Sequence, residues 1–147
     1  MTVVDRDESR IRKWNSAHLP IHEPGLRDVV RIARDGSKVC TVPSHGTDSL
    51  PNKQMTIQTR QSNLVFTTDC TTSIANADLI FITVNTPTKT TGLGAGYATD
   101  MTALESAVKE IAQHAKNGAI LVEKSTVPCR TARLIQNIVR FTFLFAA

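Results

Sequence analysis

Two short polar runs, each directly following an apolar one, hold the residue types best suited to chemistry. Asn85, Thr86, Pro87 and Thr88 follow Leu-Ile-Phe-Ile-Thr-Val at 79–84, and Lys124, Ser125, Thr126 and Val127 follow Ala-Ile-Leu-Val-Glu at 119–123. An amide, several hydroxyls and one ammonium suit a polar, anionic organic ligand better than a metal ion. Pro87 cannot continue a ladder, so the first run marks the end of a strand. In an open parallel sheet, ligands bind beyond the carboxyl ends of the strands. Asp5, after Thr2, Val3 and Val4, is a third strand-end polar residue. In a dinucleotide-binding unit an acidic residue at that place bonds the adenosine ribose hydroxyls. Each residue also has a plainer use: Asp5, Ser125 and Thr126 as helix caps, Lys124 as a solvated charge, and residues 85–88 as an ordinary strand exit.

The elements that position these residues are legible in the hydrophobic pattern. Residues 79–84 read as a strand buried on both faces. Residues 99–117 read as a helix, because Met101, Leu104, Val108, Ile111, Ala112 and Ala115 form one stripe. Thr99 or Asp100 would cap it and Gly118 would stop it. Residues 119–122 read as a second buried strand, so strand, helix and strand form a βαβ unit with parallel strands. Both polar tips then lie on one edge of one sheet, the second leading into a helix near Pro128 whose first N–H groups favour anions. Upstream, residues 2–4 form a strand, 6–15 a helix, 26–34 a helix closed by Gly36, and 63–69 a strand, with at most a short helix at 72–76. Residues 37–62, with Pro43, Gly46 and Pro51 among polar neighbours, read as a mobile surface insertion. Gly92, Gly94 and Gly96 resemble a phosphate-binding loop only in glycine content, since Tyr97 stands where a third glycine belongs, and they read as a flexible connection.

The 147 residues, 41% hydrophobic and 20% charged, suffice for one domain with a core. The net charge of +4 comes from dispersed Lys and Arg, which argues against a nucleic-acid face. Three scattered cysteines fit a reducing compartment, and no metal-ligand spacing is present. Neither a signal sequence nor a membrane-spanning run is apparent, so the expectation is a cytoplasmic protein with no membrane partner.

With these residues in view, the chain resembles the cofactor domain of the UDP-glucose 6-dehydrogenases, within the UDP-glucose/GDP-mannose dehydrogenase family. The resemblance lies in Val3, Val4 and Asp5 with Glu8, Ser9 and Arg10. It continues in Leu-Pro-Ile-His-Glu-Pro-Gly-Leu at 19–26, Val-Asn-Thr-Pro-Thr-Lys-Thr at 84–90 and Glu-Lys-Ser-Thr-Val-Pro at 123–128, all in the family's order. It covers residues 2–36 and 63–138. It implies an α/β fold, a Rossmann-like doubly wound parallel sheet, with NAD as cofactor and UDP-glucose as substrate. The alcohol at C6 is oxidised to the carboxylate as two NAD are reduced. The implied roles are the adenosine ribose for Asp5 and Arg10, the wall of the NAD site for Val84, Asn85, Thr86, Pro87, Thr88, Ser125, Thr126 and Val127, and a place near the reacting centre for Thr126. A family homo-oligomer is implied as well. Relatives acting on GDP-mannose or UDP-N-acetylmannosamine share the cofactor half, and a non-catalytic nucleotide-binding or regulatory fragment is an alternative of another class.

The departures are specific. Only four residues precede Asp5, so the sheet is expected to be incomplete, lacking its first strand and Gly-rich turn. In the strand order 3-2-1-4-5-6 that omission leaves a gap of roughly 9–10 Å, to be left open or closed by re-pairing. Cys40, Cys70 and Cys129 match no family cysteine motif. Residues 1–147 are thus expected to be a partial NAD-binding domain, with the insertion at 37–62 and an apolar, β-prone tail at 139–147 that packs poorly. Weak stability and no oxidation of UDP-glucose by this chain alone are the further expectations.

Overall fold

The computed structural model describes residues 1–36, 40–42, 55–57 and 60–145. The chain forms two compact units, Met1–Cys70 and Thr71–Ala147. Among the described residues no helix is long and apolar enough to cross a membrane.

In the first unit, strand β1 (Thr2–Val4) leads through Asp5 into helix α1 (Glu8–Trp14), followed by α2 (Leu26–Asp35). Strands β2 (Cys40–Val42) and β3 (Met55–Ile57) come next, then β4 (Val65–Thr67). β1 and β4 are parallel, with Val3 opposite Phe66. Their buried side carries Phe66, which packs with Ile11 of α1, Val30 of α2 and Leu64. Trp14 stacks on Phe66 with ring centroids 5.2 Å apart and planes 6° from parallel. Arg34 ties the two helices together: Nη1 donates to the carbonyls of Trp14 (2.7 Å) and Ser16 (2.9 Å), while Nε and Nη2 hold Asp35. Gly36 ends α2 at φ 76°, and a Cβ there would lie 2.8 Å from the Arg60 carbonyl, so glycine is required by both conformation and space.

The segment expected to be an irregular insertion contains the β2–β3 pair, antiparallel with Thr41 opposite Thr56. Alternation over three residues is too short to register as a strand signal. The expected mobility falls on residues 37–39, 43–54 and 58–59, outside the described ones. Within the first unit, β1 pairs with β4.

In the second unit, helix α3 (Cys70–Asn76) precedes strand β5 (Leu79–Ile82), helix α4 (Thr102–His114), strand β6 (Ile120–Glu123) and helix α5 (Thr131–Phe145). β5 and β6 are parallel, with Leu79, Ile80, Phe81 and Ile82 opposite Ile120, Leu121, Val122 and Glu123. The core is Ile82, Leu104, Val108, Ile111 and Ile135, against which Ile80, Met101, Ala115 and Leu121 pack. Leu104 and Val108 are fully enclosed, as the helical stripe requires.

Three expectations need correction here. β5 is not buried on both faces: Ile82 is buried, but Leu79 and Phe81 are 49% and 56% exposed, because only the Ile80–Ile82 side meets the helices. The ordered strand stops at Ile82, two residues short of the apolar run. The tail from 139 is not β-prone: α5 runs on to Phe145, because Ile138 and Val139 extend the stripe begun by Ile135 onto the core. Phe141 faces water, at 61% exposed.

Replacing Leu104 with alanine should lower stability by about 3–4 kcal/mol, through lost transfer energy and an uncollapsed cavity. Leu93→Ala, at a position 94% exposed, should change it by less than about 0.5 kcal/mol. Urea unfolding followed by circular dichroism distinguishes the two.

Candidate functional site

The ten expected site residues fall into two groups, one in each unit. Asp5 and Arg10 form the first. The Asp5 N–H continues the β1 ladder to the Thr67 carbonyl, so the side chain leaves from a fixed strand end. Its Oδ2 accepts from Arg10 Nη1 at 2.5 Å, and its Oδ1 accepts from the Asp7 N–H at 2.9 Å. Asp5 is not the cap of α1. Asp7 is: its Oδ1 accepts from the N–H of Ser9 and of Arg10 and from the Ser9 hydroxyl, 2.6 Å away. The Ser9 hydroxyl first, and the Arg10 N–H next, hold the Asp7 carboxyl below its ordinary value of 3.8. The plainer reading of Asp5 is thus taken over by another residue, two positions downstream.

The second group lies at the carboxyl ends of β5 and β6, brought side by side by the parallel pairing. The Lys124 N–H donates to the Ile82 carbonyl at 3.0 Å, extending the ladder into the polar tip. The Ser125 hydroxyl donates to the same carbonyl at 3.4 Å. Thr86 Oγ1 donates to the Thr126 carbonyl at 2.7 Å and joins one tip directly to the other. Val84 and Val127 pack against the core below, anchoring the tips. Asn85, Pro87, Thr88 and Thr126 are exposed. Glu123, to which the sequence reading assigned no role, accepts from the Ser125 N–H at 2.5 Å and shapes the turn. An acid two residues before a serine at a strand end is the signal that could have found it.

The glycine-containing segment is not a loose connection. A bridge joins Thr88 to Thr99, the Lys89 N–H donates to the Ala98 carbonyl (2.7 Å) and the Gly96 N–H to the Lys89 carbonyl (2.9 Å). The Asp100 N–H donates to the Pro87 carbonyl at 2.7 Å. Gly94 turns at φ 88°, where a Cβ would fall 2.6 Å from the Ala98 methyl. The glycines permit this closure, which returns the chain to the first tip before α4 starts. Asp100 Oδ1 accepts from the Thr102 N–H at 3.0 Å. Met101 holds the cap position without a side-chain bond. α5 begins at Thr131, three residues beyond Pro128, after a turn in which Arg130 adopts φ 73° and the Thr131 hydroxyl bonds the Pro128 carbonyl at 2.7 Å.

An acid–guanidinium pair at one strand end suits ribose hydroxyls, and amide and hydroxyl groups at two joined strand tips suit a polar ligand lying across them. Each group by itself therefore fits part of a dinucleotide in chemical type. The family model described as "UDP-glucose/GDP-mannose dehydrogenase family, NAD binding domain" matches residues 48–142. The chain is 45% identical over 138 residues to UDP-glucose 6-dehydrogenase 1 of Arabidopsis thaliana, covering 94% of this chain and 23% of that protein. It is 44% identical over 140 residues to UDP-glucose 6-dehydrogenase of Drosophila melanogaster, covering 95% and 24%. A ternary complex of GDP-mannose dehydrogenase from Pseudomonas aeruginosa superposes with a TM-score of 0.67 over 96% of this chain and 26% of that one, at 22% identity, a likeness of fold. The chain thus spans about a quarter of the length of these proteins.

Because the folded Asp7 carboxyl titrates below 3.8, its support of α1 is complete above that pH and is lost as pH falls through the lower, folded value. A carboxyl carbon titration by NMR should place the Asp7 midpoint below 3.8, with α1 fraying alongside. Asp7→Asn should remove that acid step while keeping the cap.

Proposed function

Because the chain belongs to the UDP-glucose/GDP-mannose dehydrogenase family, we propose that it is the NAD-binding portion of a UDP-glucose 6-dehydrogenase. The observation that carries this reading is the Thr86–Thr126 hydrogen bond, which makes one polar ledge of the tips at 84–88 and 125–127. Asp5 and Arg10 hold the adenosine ribose, the carboxylate accepting from its hydroxyls while Arg10 keeps the carboxylate oriented. In the second unit, Val84, Asn85, Thr86, Pro87 and Thr88, with Ser125, Thr126 and Val127, form an NAD-facing ledge of their own. NAD, when bound, supplies the oxidant for the alcohol carbon of UDP-glucose. Thr126 lies near the reacting centre and helps position groups there, with its carbonyl fixed by Thr86. NAD and UDP-glucose are the small-molecule partners of this reading, and residues 1–147 are one partial domain.

Oxidation to the acid needs a nucleophile to carry the aldehyde level. Cys70 is half-buried and Cys129 exposed, and neither lies in a Gly-rich cysteine motif. Turnover accordingly depends on residues other than these 147.

Two experiments test the proposal. Calorimetric titration of the purified chain with NAD should show binding, weakened at least about tenfold by Asp5→Ala, the scale of losing hydrogen bonds from a charged acceptor. Thr86→Val, which keeps the shape and removes the donor, should weaken it about fivefold, equivalent to roughly 1 kcal/mol. With UDP-glucose added, no NADH absorbance should develop. Absence of NAD binding removes the nucleotide-site reading, and NADH formation removes the claim that the chain needs further residues.

A further inference from the structure

Arg10 has a second carboxylate beside it. Nη1 lies on Asp5 Oδ2, and Nη2 is 3.6 Å from Asp7 Oδ2. The three groups together carry one net negative charge. All face solvent, with side-chain exposures of 58% for Arg10, 26% for Asp5 and 43% for Asp7. Capping α1 does not need the charge of Asp7, because asparagine caps as well as aspartate and its side-chain oxygen accepts the same bonds. The charge is surplus to the helix, and it stands beside the one side chain of the group best able to recognise a phosphate. Arginine at this place is how dinucleotide sites accommodate a ribose 2′-phosphate, through a planar guanidinium with two N–H groups to offer. Asp5 takes one of those nitrogens and would leave the other available.

We infer that Asp7 is a specificity-determining residue of the nucleotide site: by taking the Nη2 side of Arg10 it turns a potential phosphate-binding arginine into a neutralised one, so that the site prefers NAD over NADP. The inference rests on the placement of the adenosine ribose at Asp5 and Arg10. A 2′-phosphate arriving there must displace a carboxylate from Arg10 or sit against two negative charges. The Asp7 N–H bond to Asp5 Oδ1 comes from the backbone, so exchanging the Asp7 side chain leaves Asp5 held.

The test titrates the 147-residue chain and its Asp7→Asn form with NAD and NADP, and compares the ratio of the two Kd values. Removing one exposed charge close to a doubly charged phosphate should shift that ratio toward NADP by about three- to tenfold. The shift should shrink as ionic strength rises beyond about 0.15 M, where exposed charges are screened. A role confined to capping predicts neither the ratio change nor its salt dependence. Should Asp7→Asn fold poorly by circular dichroism, Asp7→Ser retains a capping oxygen without charge and carries the same expectation. An unchanged ratio in a chain that binds NAD overturns the inference and leaves the ribose assignment standing. A chain that binds neither nucleotide overturns both.

Discussion

The parallel pairing of β5 with β6 is the constraint from which the second unit follows. Parallel neighbours cannot be joined by a tight turn, so the chain must travel back along the sheet, and it does so as α4. That helix has to bury one side on the strands it connects, which is why Leu104 and Val108 are fully enclosed. The same geometry sends both strands out at one edge, so the polar residues after Ile82 and after Glu123 become neighbours without being close in sequence. The Thr86 hydroxyl then needs only a local adjustment to reach the Thr126 carbonyl.

How much of this could be read from sequence depended on the length over which a pattern persists. The α4 stripe spans several turns, and the crossover it implies gave the parallel pairing and the shared edge of the two tips. Patterns of three or four residues were less informative. The strand β5 looked wholly buried because four large apolar side chains stand together, yet composition cannot say which side of a strand is covered. The pairing of β2 with β3 left no periodic trace. Glycines 92, 94 and 96 suggested freedom, whereas their positive φ values serve a closed arrangement of backbone hydrogen bonds. The tail looked β-prone by residue type, but Ile138 and Val139 sit at helical spacing from Ile135.

The details of the candidate site were legible only as residue types. Asp5 and Arg10 are five residues apart, and their contact depends on where α1 starts. That start is set by Asp7, whose carboxylate gathers the free N–H groups of the first turn. One residue therefore fixes the helix entry, holds Asp5 through its backbone and stands next to Arg10. The exposed ion pairs contribute little to folding; their effect is on position and on local potential. Arg34 does comparable work at the other end of α1, satisfying the carbonyls of Trp14 and Ser16 that the helix leaves open.

The stacking of Trp14 on Phe66 also gives the molecule an optical property. Trp14 is the sole tryptophan in the chain, and its ring lies against a strand residue in the core that supports α1. Indole emission under selective excitation arises from one place only, so its wavelength reports on packing within the first unit. The six-degree stack places an aromatic neighbour flat against the emitter, and loosening of the α1–β4 contact would expose the ring to water and move the emission to the red. The packing that seats the Asp5 end of β1 beside α1 thus carries its own spectroscopic label.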